Sequence, residues 1–179
     1  MVLQHPLEVF NPKGSARLLC LSLAHSQLAV GEKFSETDLQ ALITEPLSSQ
    51  NGVPLMPKRA ILLYPDTPAD PTLPVPVPPP LVPEYLTDPD RLRLIVLDGT
   101  WRKSRKMLYL NPLLQRLPRL ALSDTGGSNY RIRKAHKPDQ LSTLEATCAA
   151  LTQINGGAEA LQPLLAAFDG FVAQQMTRV

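Results

Sequence analysis

Leu92-Arg93-Leu94-Ile95-Val96-Leu97-Asp98-Gly99-Thr100-Trp101 is the stretch on which the reading of this chain turns. It is apolar at every position up to Leu97 except Arg93 and stops abruptly at Asp98-Gly99. That continuity is the mark of a strand covered on both faces, the kind parallel sheets use. Trp101 to Leu110 then has helix-forming composition: Trp101, Met107 and Leu108 can face a core while Arg102, Arg105 and Lys106 face out. Asn111-Pro112 ends that helix. A buried strand passing through a short loop into a helix is the repeating step of an α/β fold.

Working outward, Ala60-Ile61-Leu62-Leu63-Tyr64 is a second short apolar run, stopped by Pro65. It predicts another buried strand. Ser35 to Ile43 starts with capping residues and predicts a short helix ending near Pro46. Arg17 to Leu23 reads as a strand, preceded by a turn at Asn11-Pro12-Lys13-Gly14. Arg119-Leu120-Ala121-Leu122 is another short apolar segment. Downstream, Ser142-Thr143-Leu144-Glu145 has the spacing of a capping box, with Leu144, Cys148 and Leu151 on one helical face. A last helix is expected from Ala158 to Met176, after Gly156-Gly157. The whole predicts a mostly parallel sheet with helices on both faces, in one domain of 179 residues. Between Pro65 and Pro83 about every second residue is proline, which neither sheet nor helix tolerates; residues 66–83 are expected to be a surface insertion.

Charge is unevenly spread. Ten basic residues and one acid, Asp124, lie between Arg102 and Lys137, a local balance of +9 in a chain of net +2. The remainder therefore carries −7. Such a cluster is either a solvated face or a contact for a polyanion, where it supplies phosphate contacts and counterion release. Cys20 and Cys148 are far apart amid apolar neighbours and read as buried free thiols, and His5, His25 and His136 are dispersed, so no metal site is expected. No apolar run reaches the length of a membrane span, and Met1 to Glu8 does not read as a signal peptide; a cytoplasmic protein without a membrane partner is expected.

In open α/β sheets ligands bind beyond the carboxyl ends of the strands. Asp98 offers a carboxylate there, Gly99 permits close backbone approach, and Thr100 can cap the helix. Asp98 is equally explicable as a cap, and Trp101 as either a pocket wall or a core aromatic. Tyr64-Pro65 and Leu141-Ser142-Thr143 are companion strand-end loops. Arg131 and Arg133, alternate residues of a strand, would project together and can clamp a phosphate or a carboxylate. No G-x-G-x-x-G, P-loop, G-x-S-x-G or H-E-x-x-H motif is present.

Asp98-Gly99-Thr100-Trp101 resembles the D-x-T-W signature of the DTW-domain family. His5-Pro6 with Glu8, Leu62-Leu63-Tyr64-Pro65, Tyr130-Arg131-Ile132-Arg133-Lys134 and Leu141 to Ala146 match the same family in order, from His5 to about Leu151. The resemblance implies a tRNA-uridine aminocarboxypropyltransferase, with a fold similar to the knotted SPOUT methyltransferases. It implies S-adenosylmethionine as donor, with Tyr64, Pro65, Leu97, Asp98, Gly99, Thr100, Trp101, Leu141, Ser142 and Thr143 around it. Asp98 is the expected catalytic carboxylate. Arg102, Lys103, Arg105, Lys106, Tyr130, Arg131, Arg133 and Lys134 are the expected contacts to tRNA, although Arg131 or Arg133 can instead take the donor's carboxylate. Many members carry an N-terminal cysteine-rich segment similar to a zinc ribbon, and its cysteines have no counterpart here, so a zinc-dependent contact to tRNA is not implied; no metal and no obligate protein partner are expected. An RNA methyltransferase of the same fold and a noncatalytic RNA-binding module are the rival readings.

Overall fold

A computed structural model describes residues 1–12, 14–45, 58–66, 76–123 and 141–176, with side chains to 174. Its core is a five-stranded sheet, with strands β1 (Val2–Gln4), β2 (Leu28–Val30), β3 (Arg59–Leu63), β4 (Leu92–Asp98) and β5 (Arg119–Leu120). Their order is β2-β1-β4-β3-β5, and every pair is parallel. The stretch from Leu92 forms the central strand, and Ile95 to Asp98 are all buried, as the unbroken apolar run requires.

Helices cover both faces because strand residues alternate. Leu3, Leu62, Tyr64, Ile95 and Leu97 point to one side, where they meet α2 (Glu36–Thr44), α3 (Trp101–Leu110) and α4 (Pro112–Gln115) through Leu39, Ile43, Met107, Leu108 and Leu114. Val2 and Val96 point to the other, against α1 (Ala16–Ser22), α5 (Thr143–Asn155) and α6 (Gln162–Met176). Arg93, almost fully buried in β4, donates to the carbonyls of Leu42 and Glu45 and so closes the C-terminal end of α2. Burial lowers its pKa, opposed by Glu45.

The structure corrects three readings. Residues 16–22 are helix α1, not a strand: Ala16 and Leu19 are buried while Arg17 and Leu21 face solvent, a helical spacing that packs against α5. Trp101 is 54% exposed rather than a core residue, although Met107 and Leu108 of the same helix are buried. Cys148 is buried but Cys20 only partly so. Within the proline-rich stretch, 67–75 lie outside the described residues, and 76–82 adopt no regular element. The segment 124–140 also lies outside the described residues. Among the described residues no helix is long and apolar enough to cross a membrane.

Candidate active site

β3 and β4 lie side by side with Leu63 opposite Val96, so Tyr64-Pro65 and the Asp98–Trp101 loop emerge together at their carboxyl ends. Between these loops, the end of β5 and the start of α5 is a cavity of about 550 Å³. That is within the range that holds a nucleoside-sized ligand. Tyr64, Pro65, Leu97, Gly99, Thr100, Trp101, Leu141 and Thr143 line it, as does Arg102. Leu120, Ala121 and Leu122 of the β5 loop close one side and were not singled out by the sequence, because two residues of strand carry no legible period.

The aromatic corner is built by Tyr64 and Trp101, whose rings meet edge to face at 5.8 Å and 80°. Arg119 lies over the Tyr64 ring at 5.3 Å. Burial raises the phenol pKa of Tyr64 despite the opposing pull of Arg119, Ser104 and Arg105, so at neutral pH it is a proton-bearing hydroxyl. Thr100 stands at the N-cap of α3 but its side chain makes no capping bond. Thr100, Trp101 and Arg102 all line the cavity, so the positive end of the helix dipole meets it beside a guanidinium.

Asp98 is turned into the fold. Only 6% exposed, it accepts from Gln4 Nε2 at 2.9 Å on Oδ2 and from Thr143 Oγ1 at 2.6 Å on Oδ1. Its backbone carbonyl accepts from His5 N–H at 2.9 Å. One carboxylate thus ties β1, β4 and the first residue of α5 together directly beneath the cavity. Ser142 likewise does not line it; this residue caps α5, accepting from Glu145 N–H at 3.2 Å while Glu145 Oε2 accepts from Ser142 N–H at 2.8 Å. Gly99 serves packing as well as access: a Cβ there would lie 3.1 Å from Lys103 Cβ and 3.6 Å from His5 Cβ.

The basic residues of α3 divide into two sets. Lys103 Nζ bonds Glu8 Oε1 at 2.7 Å, and Lys106 Nζ bonds Glu32 Oε2 at 2.9 Å. Burial pushes the Glu8 carboxyl up, but bonds from Asn11 and Lys103 outweigh it and leave the pKa lowered. Lys106 and then His5 lower that of Glu32. His5 Nδ1 accepts from Leu7 N–H, so in its neutral form the ring proton sits on Nε2 and is donated to Glu32 Oε1 at 2.8 Å. Arg102 and Arg105 are exposed, and neither takes part in an ion pair among the described residues. Tyr130, Arg131, Arg133 and Lys134 lie outside the described residues.

A protein of Drosophila melanogaster named tRNA-uridine aminocarboxypropyltransferase 2 is 28% identical over 171 residues, which make up 92% of this chain and 59% of that protein. One of the same name from Macaca fascicularis is 26% identical over 155 residues, 84% of this chain and 46% of that protein. The chain spans about half the length of these curated relatives. No solved structure matches it. The family model for the DTW domain matches residues 1–176, which include every wall of the cavity. With that match over nearly its whole length, the chain belongs to the DTW-domain family.

Proposed function

We propose that the chain transfers the 3-amino-3-carboxypropyl group of S-adenosylmethionine to N3 of a uridine in tRNA, leaving methylthioadenosine. The observation that carries this reading is the cavity at the carboxyl ends of β3 and β4, walled by Gly99, Thr100 and Trp101 of the family's signature. Its size, its aromatic corner and its positive helix end suit a nucleoside with an anionic tail. The donor supplies a sulfonium-activated carbon; the N3–carbon bond forms as the sulfur–carbon bond breaks, and the N3 proton is released. Three carbons flank a sulfonium, so the chain selects among them by holding one in line with N3.

The chain's residues have distinct tasks in this reading. Tyr64 and Trp101 offer faces and edges on which rings pack. The α3 terminus meets the donor's carboxylate. Asp98 is a positioning residue, setting the Gly99-Thr100 loop at a fixed distance from the Leu141–Thr143 loop. Arg102 and Arg105, with Tyr130, Arg131, Arg133 and Lys134, meet the tRNA, while the acid-paired Lys103 and Lys106 contribute less. A cytoplasmic setting goes with that substrate.

The test is mass spectrometry of nucleosides from tRNA incubated with the protein and S-adenosylmethionine. Aminocarboxypropyl uridine with methylthioadenosine is the expected result. S-adenosylhomocysteine would identify a methyltransferase instead, and no mass gain on any uridine would defeat the enzyme reading. Trp101 is the chain's one tryptophan, so its emission reports on the cavity directly and should change on adding S-adenosylmethionine alone.

A further inference from the structure

The exposed side of α3 is not uniform. At about 100° per residue, positions four apart lie one turn up and about 40° round the helix. Trp101, Arg105 and Tyr109 therefore form a shallow spiral that starts at the border of the exposed arc, where Trp101 meets Tyr64 beside the cavity, and climbs to the middle of that arc at Tyr109. Trp101 is 54% and Tyr109 48% exposed, and Arg105 between them is exposed too. The buried residues Ser104, Met107 and Leu108 already hold the helix to the sheet. Packing against the sheet therefore does not explain the Tyr109 ring, and Trp101 touches only the cavity's aromatic corner. On the other half of the arc stand Lys106 and, at its far border, Lys103, each neutralised by a glutamate. Among the described residues, the cations of α3 outside any ion pair are accordingly Arg105, within the spiral, and Arg102, at the middle of the arc.

We propose that Trp101, Arg105 and Tyr109 form a stacking ridge that receives the single-stranded RNA beside the modified nucleotide. This deepens the reading above and rests on it for the identity of the polymer. The ridge begins inside the cavity wall and runs outward for about 12 Å, or three to four base steps of about 3.4 Å. Alternating aromatic and guanidinium faces suit bases of any sequence, because every base has a stacking face, while the arginines meet the phosphates. A duplex could not use it, since its bases are already stacked. A protein partner would also favour Trp, Tyr and Arg. Continuity with the cavity and two arginines that take part in no ion pair among the described residues favour the polyanion.

Binding of a fluorescein-labelled decauridylate to the full chain, followed by anisotropy across a salt series, tests this. Tyr109→Ala and Arg105→Ala should each weaken binding about tenfold, and Tyr109→Phe should bind within about twofold of the parent. Arg105→Ala should also reduce the slope of log affinity against log salt by about 0.7. An RNA duplex should be bound with the same affinity by the parent and Tyr109→Ala. Unchanged decauridylate binding by Tyr109→Ala, in a protein whose melting temperature is also unchanged, overturns the ridge, as does an equal loss on the duplex. Titration of S-adenosylmethionine by calorimetry separates the two readings. If it fails to bind while the Tyr109 effects stand, the ridge holds and the proposed reaction falls. If it binds normally and Tyr109→Ala is silent, the ridge falls alone.

Discussion

Asp98 shows how much a single carboxylate can organise. Both of its oxygens are engaged by donors from distant parts of the chain. Asparagine can replace it: its oxygen still accepts from Thr143, and the Gln4 amide can turn over to accept from the new NH2. Asp98→Asn should therefore keep modification activity within about tenfold, whereas loss of a general base costs about a hundredfold or more. Asp98→Ala leaves buried Gln4 and Thr143 donors without an acceptor, at about 1–3 kcal/mol each, and should lower both stability and donor affinity. Urea unfolding and calorimetry measure the two losses. A thousandfold loss in Asp98→Asn with donor binding intact would show that the carboxylate handles the proton itself. The location of this residue was legible in the sequence because a buried run ends there. Its orientation was not, since nothing in the local pattern says that Gln4 and Thr143 converge on it.

Elements were legible where their signals are local. The central strand, α3 and the capping box of α5 follow from apolar continuity, helical spacing and side-chain caps. Residues 16–22 misled because a short apolar run fits strand and helix equally, and only packing against α5 decides it. β1 and β2, three residues each, are held by their neighbours rather than by any period of their own. The capping box invites a direct test. Ser142→Ala should cost about 1 kcal/mol, a fall in melting temperature of about 2–4 °C, with weakened donor binding because Leu141 and Thr143 share the cavity wall. Glu145→Gln keeps the reciprocal bond and should be close to neutral in both measurements. A large loss of activity in Glu145→Gln at unchanged stability would give that residue a role in the chemistry.

At the scale of the whole molecule, charge and burial predict the response to pH. Glu8 has a lowered pKa in the folded state, so its contribution is present above the ordinary glutamate value and is lost as pH falls through the folded one. The unfolding free energy of Glu8→Gln should therefore depend less steeply on acid than that of the parent, by about 1 kcal/mol or less in urea unfolding. In the opposite direction, burial and then Glu145 raise the Cys148 thiol from 9.0 to about 11. Its contribution is complete below 9.0 and fades as pH climbs toward 11, and a thiol-disulfide reagent at neutral pH should label Cys148 only after denaturant is added. The charge split between Arg102–Lys137 and the rest was plain in the sequence, but not that Glu8 and Glu32, from the acidic remainder, reach across to α3. The Gln4–Asp98–Thr143 link also bears on the order of folding. Its partners are 94 and 45 residues apart, so the cavity floor closes only after the first strand, the central strand and the fifth helix have all come together. Contacts of such separation form late. During refolding, the ability to bind the donor should lag behind the recovery of helical signal, and no partly folded form of the chain would be able to compete for it.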